Sequence, residues 1–176
     1  MALLLTATPG AWAQAPDPID LTTTDGKTWT LAAMPDYDVE LEVEYNIFPL
    51  EGAGTAESPY LIQSDDDWIC FCLNFDTYKA SVIKLTNDIN VTTIAGTSDN
   101  PFTGTFDGDG HTLTFNWTAT GEYCAPFAYI NDATFNNLHV TGTIITSYRR
   151  TGGLIGQSFG TSSINNCRSS VKIISL

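Results

Sequence analysis

Asp107 and Asp109, two residues apart in Phe106-Asp107-Gly108-Asp109-Gly110, come nearest in this 176-residue sequence to a reactive pair. A glycoside hydrolase needs two carboxyls flanking the scissile bond, about 5–9.5 Å apart, and side chains two apart on a strand share a face. The interleaved glycines argue instead for a tight turn. Asp107-x-Asp109-Gly110 also echoes part of a calcium loop, but the third ligand and the closing Glu are missing. The pair therefore stands as a calcium candidate only, with no metal site assigned. The remaining acids of the second half are Asp88, Asp99, Glu122 and Asp132. A polysaccharide lyase also needs Arg or Lys against an enolate-like charge. The one basic pair, Arg149-Arg150 beside Tyr148, has no acid close in sequence and reads as a solvated loop. Tyr148, Arg149 and Arg150 are the ligand-binding candidates. Tyr123, Phe127, Tyr129, Tyr148 and Phe159 are aromatics that can stack on a sugar. Core packing explains Phe127 and Phe159 at least as well, which leaves Tyr148 as the best exposed one.

Other chemistries find little support. The sequence has no HExxH, no Ser/His/Asp grouping with local support and no glycine loop leading into a helix to cradle phosphate. It has two histidines, His111 and His139, and no CxxC pair, so a structural zinc site and a cofactor are not expected. The four cysteines fit an oxidising compartment without defining a disulfide framework. Cys70 and Cys72 read as small buried hydrophobes, whereas Cys124 and Cys167 can meet if their coils are adjacent. The formal net charge of −13 argues against nucleic acid and against anionic membrane surfaces. Most of that charge lies in residues 1–80, which carry 14 acidic and 2 basic side chains.

The elements that must position these residues change character along the chain. Residues 16–53 form a small β lead-in: Thr28 to Leu31 a short strand, Met34-Pro35-Asp36 a turn, and Val39, Leu41, Val43 and Tyr45 alternating with Glu40, Glu42 and Glu44. The glutamate row reads as a solvated, edge-protecting face. Ser64 starts the one convincing helix, with Asp65, Asp66 and Asp67 favouring its first turn and Trp68, Phe71, Cys72 and Phe75 forming an apolar stripe. From residue 80 onward short strands are separated by Gly, Asn and Asp. Phe135-Asn136-Asn137-Leu138 and Ile164-Asn165-Asn166-Cys167 repeat one pattern 29 residues apart. Repeats of this length without helices predict an all-β chain: a right-handed parallel β-helix (solenoid) over residues 54–176, with one N-terminal capping helix. Asn suits its corners because it tolerates left-handed backbone. A β-sandwich is the alternative fold.

Phe106 to Leu113, Ala133 to Gly142 and Thr151-Gly152-Gly153-Leu154-Ile155-Gly156 together resemble the GLUG-motif β-helix proteins, secreted or surface proteins of Bacteroidetes and other gut and oral bacteria. The last segment has Gly-Leu-Ile-Gly where the family usually has Gly-Leu-Val-Gly. Ser64 and its helix, with Ile83 to Ile89, resemble the family's N-terminal cap and first coil, and Trp29 to Tyr45 resembles the end of a small β-repeat of large surface proteins. The resemblance implies adhesion or contact with carbohydrate or a host surface protein, and carries over no catalytic residue. The expected function is a non-catalytic cell-surface or secreted scaffold, with a pectate-lyase-like enzyme as the alternative.

Residues 1–15 read as the remnant of an export signal: an apolar run from Ala2 to Ala7, a Pro9-Gly10 break, and small residues around Ala13. No stretch approaches the ~20 apolar residues of a membrane span. Val171 to Leu176 reads as a strand with no cap after it, so further coils of a longer chain are expected as its partner.

Overall fold

The computed structural model describes residues 49–176 together with two short strands, β1 (Leu21–Thr22) and β2 (Thr30–Leu31), which pair antiparallel. The chain divides into two units, Met1–Phe48 and Pro49–Leu176. The export segment, the turn at Met34 and the alternating run from Val39 to Tyr45 lie outside the described residues.

The second unit is a parallel β-solenoid. One side is a five-stranded sheet in the order β12 (Ser163–Asn165), β9 (Thr134–Asn136), β6 (Thr105–Asp107), β4 (Val82–Leu85), β3 (Tyr60–Ile62). A second side stacks β13 (Arg168–Ser175), β10 (His139–Thr146), β7 (Thr112–Thr118) and β5 (Ile89–Asn90). The third pairs β11 (Ile155–Phe159) with β8 (Phe127–Asn131) and is extended by bridges from Ala95 to Phe127 and Phe102 to Ile130. Every pairing within the unit is parallel. On the first side, Tyr60, Ile83, Phe106, Phe135 and Ile164 lie in one ladder, with offsets of 23 residues (60 to 83, 83 to 106) and then 29 (106 to 135, 135 to 164).

The repeated Asn-Asn pairs occupy a corner, as the sequence predicts. Asn137 and Asn166 both have φ of 51°, the left-handed region that Asn tolerates better than most residues. Their amides form a one-way ladder: Asn166 Nδ2 donates to Asn137 Oδ1 (2.8 Å), and Asn137 Nδ2 donates to Asp107 Oδ1 (3.0 Å). Asn165 Nδ2 donates likewise to Asn136 Oδ1 (3.0 Å). At the next side, Gly142 faces Phe115 with φ of 134°, and a Cβ there would overlap the Phe115 carbonyl, so only glycine fits.

Aromatic rings fill the interior. Trp68, Phe71, Phe102, Phe106, Phe127 and Phe135 are all fully buried, with edge-on or tilted contacts such as Phe127 to Phe135 at 4.8 Å between centroids. The helix α1 (Asp65–Leu73) brings Trp68 and Phe71 onto this cluster, and Trp68 Nε1 donates to the Thr93 carbonyl (2.9 Å). Ser64 caps α1, as expected, by accepting from Asp67 N. The carboxylates do more than favour the dipole. Asp65 accepts from Asn90 N (2.7 Å), tying the helix to β5, and Asp67 accepts from Gln63 N and Ser64 Oγ.

The apolar stripe differs from its expected form in one respect. The chain breaks at Asn74 before a second short helix, α2 (Phe75–Tyr78), so Cys70 is fully buried, whereas Cys72 keeps part of its residue surface exposed although its thiol is covered. Cys124 and Cys167 do not pair, and no disulfide forms among the described residues. At the far end of the stack, Ile164 (55% exposed) and Ile173 (47%) continue ladders whose inner members are buried.

Candidate functional site

The Asp-Gly-Asp-Gly segment is a corner with extra residues, and its two carboxylates serve different partners. Asp107 Oδ1 accepts from Asp109 N (3.0 Å), closing a local Asx turn, and from the Asn137 amide. Asp109 has φ of 49°, and its Oδ2 pairs with Lys84 Nζ of the preceding coil at 3.0 Å. Both groups are thus used to fix a corner, which is the turn the interleaved glycines predict. Among the described residues, no group of three or more His, Cys, Asp or Glu side chains could hold a metal ion.

A serine–histidine contact that sequence reasoning missed lies on the outer face of the second side. His139 Nε2 is 3.2 Å from Ser170 Oγ, and its Nδ1 is 3.5 Å from Thr112 Oγ1. Asp88, the nearest acid in this chain of contacts, accepts from Thr112 N (2.9 Å) and lies 3.4 Å from His111 Nδ1. Nucleophile activation requires a base oriented by a third group, commonly a carboxylate, with oxyanion donors facing the reacting atom. Here the third group is a threonine hydroxyl, and the residues are cross-strand neighbours of a solvated sheet.

The third side presents a different surface. Along β8 the side chains do not strictly alternate: Phe127, Ala128 and Ile130 are buried and Tyr129 is half-buried, while Phe159 of β11 is exposed. The Tyr129 and Phe159 rings are nearly parallel (8°), with centroids 6.2 Å apart. Tyr123, which has φ of 64° in the loop before β8, adds a third ring 4.5 Å from Tyr129. Desolvation raises the Tyr129 hydroxyl above its ordinary pKa, reinforced by its hydrogen bond with Tyr123 and opposed by the charge of Arg150.

Of the three ligand-binding candidates, the structure brings only Arg150 to this stripe. Arg150 (φ 60°) lies with its guanidinium 5.1 Å from the Tyr123 ring centroid. Its Nη1 donates to the Tyr123 hydroxyl and to Glu122 Oε2 (3.3 Å). The acid that the local sequence lacks thus comes from the previous coil, 28 residues away. Arg149 is exposed, and Tyr148 is 45% exposed with its N–H donating to Thr146 Oγ1 (2.9 Å). Phe127 is core, as one reading of the sequence allows. Phe159 is not: at 42% exposed it belongs to the surface. Its two-residue spacing from Gln157, the register partner of Tyr129, is the signal that places it on the outer face.

A cavity of about 470 Å³ lies elsewhere, where α1 breaks, lined by Cys72, Leu73, Phe75, Asp76, Ile94 and Asn100 among others. Asp76 is held below the usual carboxylate range by Lys79 (2.8 Å) and the Asn100 amide (3.0 Å). Among the described residues, no helix is long and apolar enough to cross a membrane.

Comparison with known proteins gives a single finding on the last coil. No curated protein matches the chain, and no solved structure does. The family model of the GLUG motif matches residues 147–174, the coil from the Arg150 loop through β13, so this solenoid contains a GLUG motif.

Proposed function

We propose that the chain is a non-catalytic module of an exported, cell-surface or secreted protein, acting as a rigid scaffold that meets a carbohydrate or a host surface protein. The observation that carries this reading is the use made of its charged side chains. Asp107, Asp109, Asp65 and Asp132 each accept a backbone or corner hydrogen bond or an ion pair within the stack. Carboxylates committed to holding coils together are poor general acids or bases for a bound substrate, because catalysis needs them aimed at the reacting atoms. The GLUG motif in the last coil is consistent with a surface or adhesin-like module. Sheets on all sides also make a stiff support, as residues on paired strands hold a surface more firmly than residues on free loops.

The rival reading is a carbohydrate-active enzyme, favoured only by the His139–Ser170 contact. Incubating the protein with polygalacturonate, with and without calcium, and with neutral polysaccharides separates the two. The expected result is no new reducing ends. Product release that scales with protein and disappears in His139→Ala would overturn the scaffold reading.

A further inference from the structure

We infer that the outward stripe of Tyr123, Tyr129 and Phe159, edged by Arg150 and Glu122, binds neutral pyranose units of a polysaccharide. The inference deepens the scaffold reading by naming the ligand class and the surface. Large aromatic rings on a solvated strand face are costly to leave in water, and exposed apolar surface grouped with polar groups at its rim marks a binding site. Here the rings are grouped: Tyr123 on Tyr129 at 4.5 Å, and Tyr129 nearly parallel to Phe159 at 6.2 Å.

The geometry selects among ligands. Tyr129 and Phe159 are stacked with their planes 8° apart and Tyr123 tilts by 35° against Tyr129, so Phe159, at the end of the row, keeps a flat face that no other ring among the described residues covers; the C–H face of a pyranose is flat and weakly apolar. Phe159 is on the coil after Tyr129, so the rings step along the stack with their centroids 6.2 Å apart, comparable with one sugar unit. Beside them, Arg150 uses only Nη1 for its contacts with Glu122 and Tyr123, so its other N–H groups are available to hydroxyls. Glu122, whose side chain is 43% exposed, supplies acceptor oxygens next to it. A neighbouring donor and acceptor match vicinal hydroxyls, each of which both donates and accepts. An anionic polymer is disfavoured by the net charge of −13 and by Arg150 already having a carboxylate partner. The stripe is also pre-formed. Tyr129 and Phe159 stand on paired strands, and Arg150 is clasped against Tyr123, so little side-chain freedom remains to be lost on binding.

The test is affinity electrophoresis of the full 176-residue chain in gels containing laminarin, xyloglucan, galactan or polygalacturonate. At least one neutral polysaccharide is expected to retard the protein, with polygalacturonate weaker. Tyr129→Ala and Phe159→Ala should each raise the dissociation constant about tenfold, the size of a lost stacking contact on an aromatic side chain. Leu73→Ala, at a still more exposed apolar residue lining the cavity at the α1 break, should bind like the parent. Phe159→Leu keeps the apolar volume but removes the flat face, and it should lose binding while melting like the parent. Retardation by none of the neutral polysaccharides, stronger retardation by polygalacturonate, or normal binding by both Tyr129→Ala and Phe159→Leu would each overturn the inference. None of these results releases product, so the scaffold reading stands or falls separately on the reducing-end assay.

Discussion

Asn137 combines a left-handed backbone with two side-chain hydrogen bonds, and substitution can separate them. Asn137→Gly keeps the backbone and loses the amide ladder, whereas Asn137→Ala loses both. Left-handed backbone costs an ordinary residue about 1–2 kcal/mol. The alanine variant should therefore be less stable than the glycine variant by about 1 kcal/mol, read from urea midpoints at unchanged slope. Equal stability would mean that the corner angle is carried by its neighbours. Cys72 supports a prediction about pH. Burial pushes its thiol up to about 12 from an ordinary 9.0, against a hydrogen bond with Thr93. The folded protein then keeps a proton that the unfolded chain gives up, so this contribution to stability is fully present below pH 9 and is lost as pH rises toward 12. Urea midpoints should fall across that window, and Cys72→Ala should flatten the fall. Cys72 should also resist alkylation at mildly basic pH, while the part-exposed Cys167 reacts first.

At the scale of elements, α1 closes one end of the stack through Trp68. Trp68→Ala leaves a void among Phe71, Phe106 and Phe127 and orphans the Thr93 carbonyl, so it should cost about 3–5 kcal/mol in chemical denaturation. Ser64→Ala, which removes only the cap, should cost about 0.5–2 kcal/mol. A similar loss for both would show that α1 is not a closing element. This helix was legible in the sequence because capping and the apolar stripe are local signals. The Asn-Asn corners were legible for a related reason: in a solenoid the same backbone angle recurs at each coil, so local chemistry repeats as a sequence pattern. The Arg150 clasp was not legible, since Glu122 and Tyr123 reach it across coils and no local signal joins them. Phe159 misleads because a large apolar residue in a strand reads as core, and only pairing register shows which face it takes. Similarly, the Asp109–Lys84 ion pair joins two coils and leaves no local trace in the Asp-Gly-Asp-Gly sequence.

For the whole molecule, the two ends of the stack differ. One is closed by the helix. The other presents β11, β12 and β13 as edges, with Ile164 and Ile173 exposed. Unpaired parallel edges with apolar side chains invite further strand pairing. The 176-residue chain should associate as concentration rises, measured by sedimentation velocity. Ile164→Lys with Ile173→Lys should suppress that association while shifting stability by only about 0.5 kcal/mol, since neither side chain is buried. Association unchanged by both lysines would place the contact elsewhere.

The change of coil offset from 23 to 29 residues leaves the Ile83–Phe106–Phe135 ladder in step. Length can therefore enter a coil without disturbing its neighbours, and Tyr123 and Arg150 sit in the connecting segments where chain length is free to vary. What the surface recognises can drift through insertions and replacements there while the rungs stay fixed, so related coils would share a frame and differ in their targets.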